Sequence, residues 1–494
     1  MKKHLKWAIK CIVFLFILCI CIKYAYQIMV PKFFFNTTWP TTSTYLGFYE
    51  MEKNTIDVFF LGSSHAASSF VPQELYNNYG ITSYNLGCEQ QNVLTSYFWL
   101  KEGLRYQKPK IVILDCYALF SNRPEEALNS TESGTRKAID YMQWSSVKRE
   151  AVKTICELDE KQSLLSYYFP NIRYHARWTE LSEEDFAFSE MSNHYELKGY
   201  VPLTAYYGKK FKPFDAKDMK EGLNMVPLMK EYLDKIVELC EQEEIQLILV
   251  KTPSTTENIE KFYTTKQYAD EHNLTFLDFN EKELYEQTEF FFMENNNDIG
   301  HVNIWGAKKL TNYVGMLLTN DYGMKESTDE QWEISKEYYE GIQKDGDLTH
   351  ITDIDEYLIA LQDKRYSIFI STKGEYTLNL KASTIQNLKK MGLDFKLQKK
   401  HKDNYLAIIS NGKVIEQMDD ALLEVSGTIR NDFVMYDVIS SGEKYGNVSS
   451  IMIDGEEQSK NKRGLNIVVY NNETMKVVDT VCFDTYVKAN KVIR

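Results

Sequence analysis

Five short apolar stretches, at 55–61, 81–86, 111–114, 245–250 and 274–277, alternate with stretches of helical periodicity, and this alternation is the strongest constraint on the fold. The run at 111–114 is apolar on both faces, so a strand made from it has to be covered on both sides. Helices are predicted at 72–79, 93–106, 227–241, 257–272 and 303–318. In 227–241, Leu228, Tyr232, Ile236 and Leu239 recur at helical spacing, with Met229, Leu233 and Val237 widening the stripe. In 303–318, Ala307, Leu310, Val314 and Leu317 share one face. The expected fold class is α/β, a doubly wound parallel sheet over 50–322, interrupted by an insertion rich in aromatics and charge at about 121–224.

The flanks differ in kind. Lys2, Lys3, Lys6 and Lys10 precede an apolar run from Cys11 that, with Lys23 snorkelling, reaches Val30 and the roughly 20 residues that a bilayer core requires. The basic residues lie mostly before the run, so 1–30 reads as a cytoplasmic stub and a single transmembrane signal anchor, with the bulk of the chain outside the cell membrane. The competing reading is a cleaved signal peptide, but no small-x-small site follows the run. The Asn/Thr/Pro stretch inside 31–49 reads as a stalk, and the charged stretch 323–350 as a linker. From 351 to 494, short alternating runs predict a smaller β-rich α+β domain. Its strands fall at 368–371, 405–410, 433–438, 451–453, 465–470 and 477–483, with one helix at 384–391 and a hairpin turn in the Asn-Asn-Glu-Thr at 471–474.

Composition narrows the function only by exclusion. The formal charge of −13 argues against nucleic acid as a partner, because binding phosphates needs clustered Lys and Arg. Outside the apolar run, Cys88, Cys116, Cys156, Cys240 and Cys482 are odd in number and irregular in spacing, which indicates neither a disulfide framework nor a zinc site.

Active groups in a doubly wound sheet gather at the carboxyl ends of its strands. The first predicted strand runs into Gly62, Ser63, Ser64 and His65, a turn small enough to present a serine hydroxyl beside free amide groups at a helix start. Just before the last helix, Asp298 stands three residues ahead of His301. In a turn this spacing lets the carboxylate orient the imidazole, leaving its other nitrogen to deprotonate a serine. Asp115, at the end of the third strand, either lines the site or caps a loop, and His65, a candidate substrate contact, reads more simply as a local hydrogen-bonding partner than as a catalyst. The insertion carries His175, Arg177 and Trp178, followed by Lys198, Gly199 and Tyr200. Arginine with aromatics suits stacking on sugars and pairing with anionic groups, as in a substrate lid. The alternative is an aromatic core with Arg177 in a structural ion pair.

The Gly-Ser-Ser-His turn, the Asn85–Gly87 Asn-Leu-Gly and the Asp298…His301…Asn303…Gly306 block resemble the SGNH/GDSL hydrolase superfamily over about residues 50–320. The resemblance implies a flavodoxin-like SGNH fold, Ser64 as nucleophile, His301 as general base and Asp298 as its orienter. It also implies an oxyanion hole from the Ser64 and Gly87 N–H groups, and no metal or cofactor. Two departures stand out. Ser63 replaces the acid of the usual Gly-Asp-Ser, and the Asn expected after the third strand is missing from Leu114-Asp115-Cys116-Tyr117. One lost oxyanion donor costs about 3 kcal/mol of transition-state stabilisation.

The anchor, the Gly-Ser-Ser turn and the large insertion resemble the DltD-like and alginate O-acetylation-like branches. These imply an extracytoplasmic serine esterase or O-acyltransferase on envelope or extracellular glycan acyl groups, with a membrane-bound acyltransferase as a candidate partner. The rival reading is a non-catalytic surface scaffold or glycan-binding protein in a polysaccharide-modifying complex. A lipase is a weaker third, for which no amphipathic lid is visible. In the C-terminal region, 366–374 and 462–486 resemble the interleukin-like EMT inducer (ILEI) type of domain, with the halves in exchanged order, which implies a glycan-positioning or purely structural role.

Overall fold

The computed structural model describes residues 2–120, 132–186, 196–217, 221–325, 329–395, 403–430 and 433–494. Strands β1 (Val58–Leu61), β2 (Ser83–Asn85), β3 (Ile111–Asp115), β4 (Gln246–Lys251) and β5 (Thr275–Asp278) form one parallel sheet in the order β2-β1-β3-β4-β5. Consecutive residues of each strand point to opposite faces. Phe59, Leu61, Val112, Leu114, Leu247 and Leu249 enter one core with Trp99, Leu233 and Ile236, while Val58, Phe60, Ile111, Ile113, Ile248 and Val250 enter a second core with Leu75, Leu310 and Val314. Helices therefore cover both faces, which explains why these strands are apolar on successive residues and not on alternate ones.

Helix ends follow local chemistry. The Asn303 side chain accepts from the Trp305 and Gly306 amides and starts the helix Ile304–Asn320. Pro227 occupies the first turn of Pro227–Gln242, where its missing N–H costs nothing. The order of the sheet changes direction between β1 and β3, and that switch point is where loops diverge to leave a crevice.

The helix Lys2–Met29 contains, within His4–Met29, an 18-residue window with a mean hydropathy of 2.5, none of that window buried, so the helix is long and apolar enough to cross a membrane. The expected stalk at 31–49 does not hang free. Thr41–Glu50 is a helix with Thr41, Thr42, Tyr45 and Phe48 buried, and Tyr45 stacks on Trp99 with centroids 3.9 Å apart. Its threonines, which suggested a solvated spacer, bond inward: the Thr42 hydroxyl accepts from the Phe33 amide at 2.7 Å.

Within the insertion, 121–131, 187–195 and 218–220 lie outside the described residues, and 132–186 is mainly helical, including Glu132–Asp140, Ser146–Leu158, Leu164–Tyr168, Asn171–Tyr174 and Glu183–Phe186. The charged stretch expected as a linker becomes the helix Glu330–Leu348, whose Trp332 and Tyr339 are buried in the first unit. The chain divides into units Met1–Glu340 and Gly341–Arg494.

The second unit is antiparallel. Strands β6 (Tyr366–Lys373), β7 (Asn404–Ser410) and β8 (Lys413–Asp419) are followed by β9 (Leu423–Ile429), β10 (Val434–Ser440), β11 (Ser449–Ile453) and β12 (Glu456–Glu457). Strands β13 (Gly464–Asn471), β14 (Lys476–Asp484) and β15 (Lys491–Ile493) complete it. They make a six-stranded sheet, β15-β14-β13-β6-β7-β8, and a four-stranded sheet, β12-β11-β10-β9. Ile368, Ile370, Ile467 and Val469 face the helices Ile354–Ala360 and Ala382–Lys390, while Phe369 and Val468 face the four-stranded sheet. The hairpin at 471–474 joins β13 to β14, with the Asn471 side chain accepting from the Glu473 and Thr474 amides.

Candidate active site

β1 runs into Gly62 at φ +144°, a conformation that disfavours side chains, and a Cβ there would stand 2.7 Å from the Cβ of Asp115. Only glycine lets the chain turn so closely over the end of β3. The next helix, Ser64–Ser69, is capped by Ser63, whose hydroxyl accepts from the His65 amide at 3.2 Å. Ser64 occupies its first turn, where its own N–H has no intrahelical acceptor.

The Ser64 Oγ lies 2.9 Å from His301 Nε2. The other ring nitrogen, Nδ1, lies 3.0 Å from both carboxylate oxygens of Asp298. An ionised carboxylate only accepts, so Nδ1 carries the proton and Nε2 accepts from the serine hydroxyl. Asp298 Oδ1 also accepts from the Gly300 and His301 amides at 2.9 and 3.0 Å. Burial pushes this carboxyl up, but the His301 ring N–H and the Gly300 amide outweigh it and hold Asp298 well below the usual carboxylate range. The structure thus brings Ser64, His301 and Asp298 together, from opposite ends of the first unit's sequence, into one hydrogen-bonded chain.

Two segments brace this arrangement, and sequence reasoning anticipated neither. Residues 201–208 of the insertion run along both loops. The Val201 amide donates to Ala67 O, the Tyr207 amide to Asn296 O, and the Ile304 amide to Leu203 O, each at 2.8–2.9 Å. Trp39, from the stretch expected as a stalk, packs with Ala67, Val201 and Leu203 and stands with its ring 5.0 Å from that of His301. An isolated Trp in a Thr/Pro stretch was the available signal.

The remaining candidates occupy different places. His65 is buried and stacked on Tyr117 at 3.7 Å, its Nδ1 is 3.4 Å from Thr252 Oγ1, and its ring is 5.1 Å from His301. Burial, with repulsion from His301, pushes its pKa down to about 3, so it is neutral at neutral pH. Gly87 packs against the nucleophile turn, with the carbonyl oxygens of Gly62 and Ser63 each 3.0 Å from where its Cβ would be. Its N–H, expected in the oxyanion hole, donates to Asn85 Oδ1 at 3.1 Å, because the Asn85 side chain folds back over the turn. His175, Arg177 and Trp178 do not join the Ser64–His301–Asp298 chain. Arg177 bonds the Ile28 carbonyl at 3.0 Å and Asp185 at 2.8 Å, Trp178 is exposed, and His175 stands 3.1 Å from the nearby Ile172 carbonyl. Lys198 lies against Trp332 and Ser335, and Tyr200 is buried.

The two departures from the expected motif meet in space. The Ser63 hydroxyl donates to Asp115 Oδ2 at 3.3 Å, so the carboxylate absent from the turn is supplied by the end of β3. Asp115 belongs to a buried charge cluster at the strand ends with Lys251, Glu257 and Asp278, in which Lys251 pairs with Glu257. Burial, reinforced by the negative charge of Glu257, pushes Asp115 up to about 7.

In the unfolded chain an Asp titrates near 3.9, so between about pH 4 and 7 the folded state binds the extra proton, and the stability contributed by this group falls as pH rises. Relative to wild type, Asp115→Asn should therefore become progressively more stable from about pH 4 to 7, read from urea midpoints of the detergent-solubilised chain. A constant difference across that window would refute the assignment.

Among the described residues, no group of three His, Cys, Asp or Glu side chains is arranged to hold a metal ion. Comparison with known families and proteins adds no identity: no family model matches the chain, and no curated protein matches it significantly.

Proposed function

We propose that the first unit is an SGNH-type serine esterase or O-acyltransferase, anchored by the helix Lys2–Met29 with its basic N-terminus in the cytoplasm, acting on acyl groups of envelope or extracellular glycans. The observation that carries this reading is the Ser64 Oγ 2.9 Å from His301 Nε2 with Asp298 on the opposite nitrogen. Ser64 Oγ attacks an ester carbonyl carbon while His301 Nε2 takes its proton. Asp298 stabilises the imidazolium, and the Ser64 N–H faces the oxyanion. The tetrahedral intermediate collapses as the departing alkoxide takes the proton from His301, leaving acyl-Ser64. Water or a glycan hydroxyl, deprotonated by His301, then removes the acyl group and restores the serine.

The position of the site suits a substrate near the membrane surface. Trp39, beside His301, follows the end of the apolar helix by about ten residues, a reach of at most roughly 35 Å. On this reading a membrane-bound acyltransferase is a fitting donor partner, and the ILEI-like second unit would position glycan.

A second reading, a non-catalytic scaffold in a polysaccharide-modifying complex, is favoured by the oxyanion side of the site, where Gly87 N–H is engaged by Asn85 and the Asn expected after the third strand is missing. A fluorophosphonate probe on the detergent-solubilised full chain separates the two. Enzyme chemistry requires labelling in wild type that disappears in Ser64→Ala and His301→Ala. A folded wild type that stays unlabelled favours the scaffold.

A further inference from the structure

The insertion carries large apolar side chains that stand open among the described residues. Leu165, Phe169, Ile172, Trp178 and Phe186 lie within 164–186, and each is 49–69% exposed. Five large apolar side chains left open within so short a stretch mark an interaction site more than ordinary surface scatter.

The place of this segment in the fold says what covers it. The segments Asn171–Tyr174, His175–Thr179 and Glu183–Phe186 all pack against the helix Lys2–Met29. They do so at its C-terminal end, where exposure falls from Ala25 onward. Polar groups lock the contact. The last turn of that helix leaves carbonyl groups without intrahelical partners. Lys32 Nζ donates to the carbonyls of Ile28 and Val30, each at 2.9 Å, and the Arg177 guanidinium donates to the same two at 3.0 and 3.4 Å. Asp185 holds both cations, at 2.9 Å from Lys32 and 2.8 Å from Arg177. Tyr141 adds a bond to the Pro31 carbonyl at 2.9 Å. Trp178 is the residue next to Arg177, so the open apolar side chains are fixed in height relative to the end of the apolar helix.

We infer that residues 164–186 form a membrane seat, a monotopic surface that rests in the outer headgroup and upper acyl layer beside the anchor helix. The inference rests on the reading of Lys2–Met29 as a membrane span. A span of about 20 residues that starts at Cys11 ends near Val30, so residues 25–30 lie within the last 9 Å or so of the hydrocarbon and its interface. A segment packed against those residues enters the interface by about the 5–10 Å typical of surface-lying amphipathic helices. The side-chain types agree: Trp and Phe on the open face, Lys and Arg on carbonyls and carboxylates, is the division found at a bilayer interface.

The test uses full-length protein reconstituted in vesicles of phosphatidylcholine and phosphatidylglycerol. One preparation carries bromine on shallow acyl carbons and the other carries none. Subtracting the emission of Trp178→Phe from that of wild type isolates Trp178, whose exposed ring makes the substitution mild for folding. The seat predicts that bromine lowers this difference emission by about two-fold or more, as for an indole within the upper acyl layer. Alkaline carbonate extraction of the same vesicles reports on the span separately. An unquenched Trp178 in protein that resists extraction overturns the seat and leaves the span standing. Such a result would leave the apolar face to a protein partner. Release of the protein by carbonate overturns both.

Discussion

Turnover of an activated acyl ester should fall by roughly 10⁶-fold in Ser64→Ala and about 10⁴-fold in Asp298→Asn, with the fold unchanged in both. The serine effect follows from loss of the attacking atom. The aspartate effect has a different origin. Asparagine keeps the size of the side chain and still accepts at one position, but it also presents an NH₂ donor to Nδ1. The imidazole then settles in the tautomer that carries its proton on Nε2, which faces Ser64 Oγ at 2.9 Å and no longer accepts from it. The capping bonds of Asp298 Oδ1 to the Gly300 and His301 amides survive in Asn through its carbonyl oxygen, which is why stability should change little. The measurement is kcat on a chromogenic acyl ester beside an unfolding midpoint for each variant. An Asp298→Asn enzyme within about ten-fold of wild type would show that the carboxylate plays no electrostatic part, contrary to this mechanism.

The second large effect concerns stability. Lys251, at the end of β4, is buried beneath the site and pairs with Glu257, while Asp115 and Asp278 stand nearby. Lys251→Met would leave Glu257 buried with only the Lys261 ammonium, 3.4 Å away, among like charges. Removing one partner of such a buried pair costs about 3–5 kcal/mol, because the survivor's desolvation is no longer offset. The double variant Lys251→Met with Glu257→Leu should recover most of that loss, since an apolar pair of similar volume avoids the uncompensated charge. Urea midpoints of wild type, single and double variants decide the matter. A single variant as stable as wild type, or a double variant no better than the single, would remove the cluster from the account of stability.

The parallel sheet was legible because its signal is local. A run such as 111–114, apolar on successive residues, cannot satisfy an exposed face, so its burial on both sides was readable before any contact was known. The strands of this sheet differ from expectation chiefly at their ends, as with β1, which begins at Val58 and not at Thr55, whereas β8 and β9 of the second unit were not foreseen. The Asp298–His301 spacing was readable for the same reason, as both side chains belong to one short turn.

The parts that were misread, or not seen, depend on partners distant in sequence. Residues 31–49 look like a spacer by composition, yet Tyr45 is buried against Trp99 and Trp39 stands beside His301. Arg177 was weighed between a sugar contact and a structural pair, and it caps the carbonyls of Ile28 and Val30 and pairs with Asp185. Asp115 and Ser63 gave no local hint of one another, since they meet only where β1 and β3 lie side by side.

By itself, then, the sequence determined the elements and the chemical types available to a site: apolar runs dictate strands, periodic stripes dictate helices, and short-range caps and turns shape Ser64 and His301 locally. The tertiary structure alone decided that Asp115 reaches Ser63, that Arg177 caps the end of the apolar helix, and that the chain after that helix folds back onto the site. Hydrophobic burial is non-directional and can be read from composition and period, whereas a hydrogen bond or ion pair needs two groups within about 3 Å, a condition that only the assembled fold supplies.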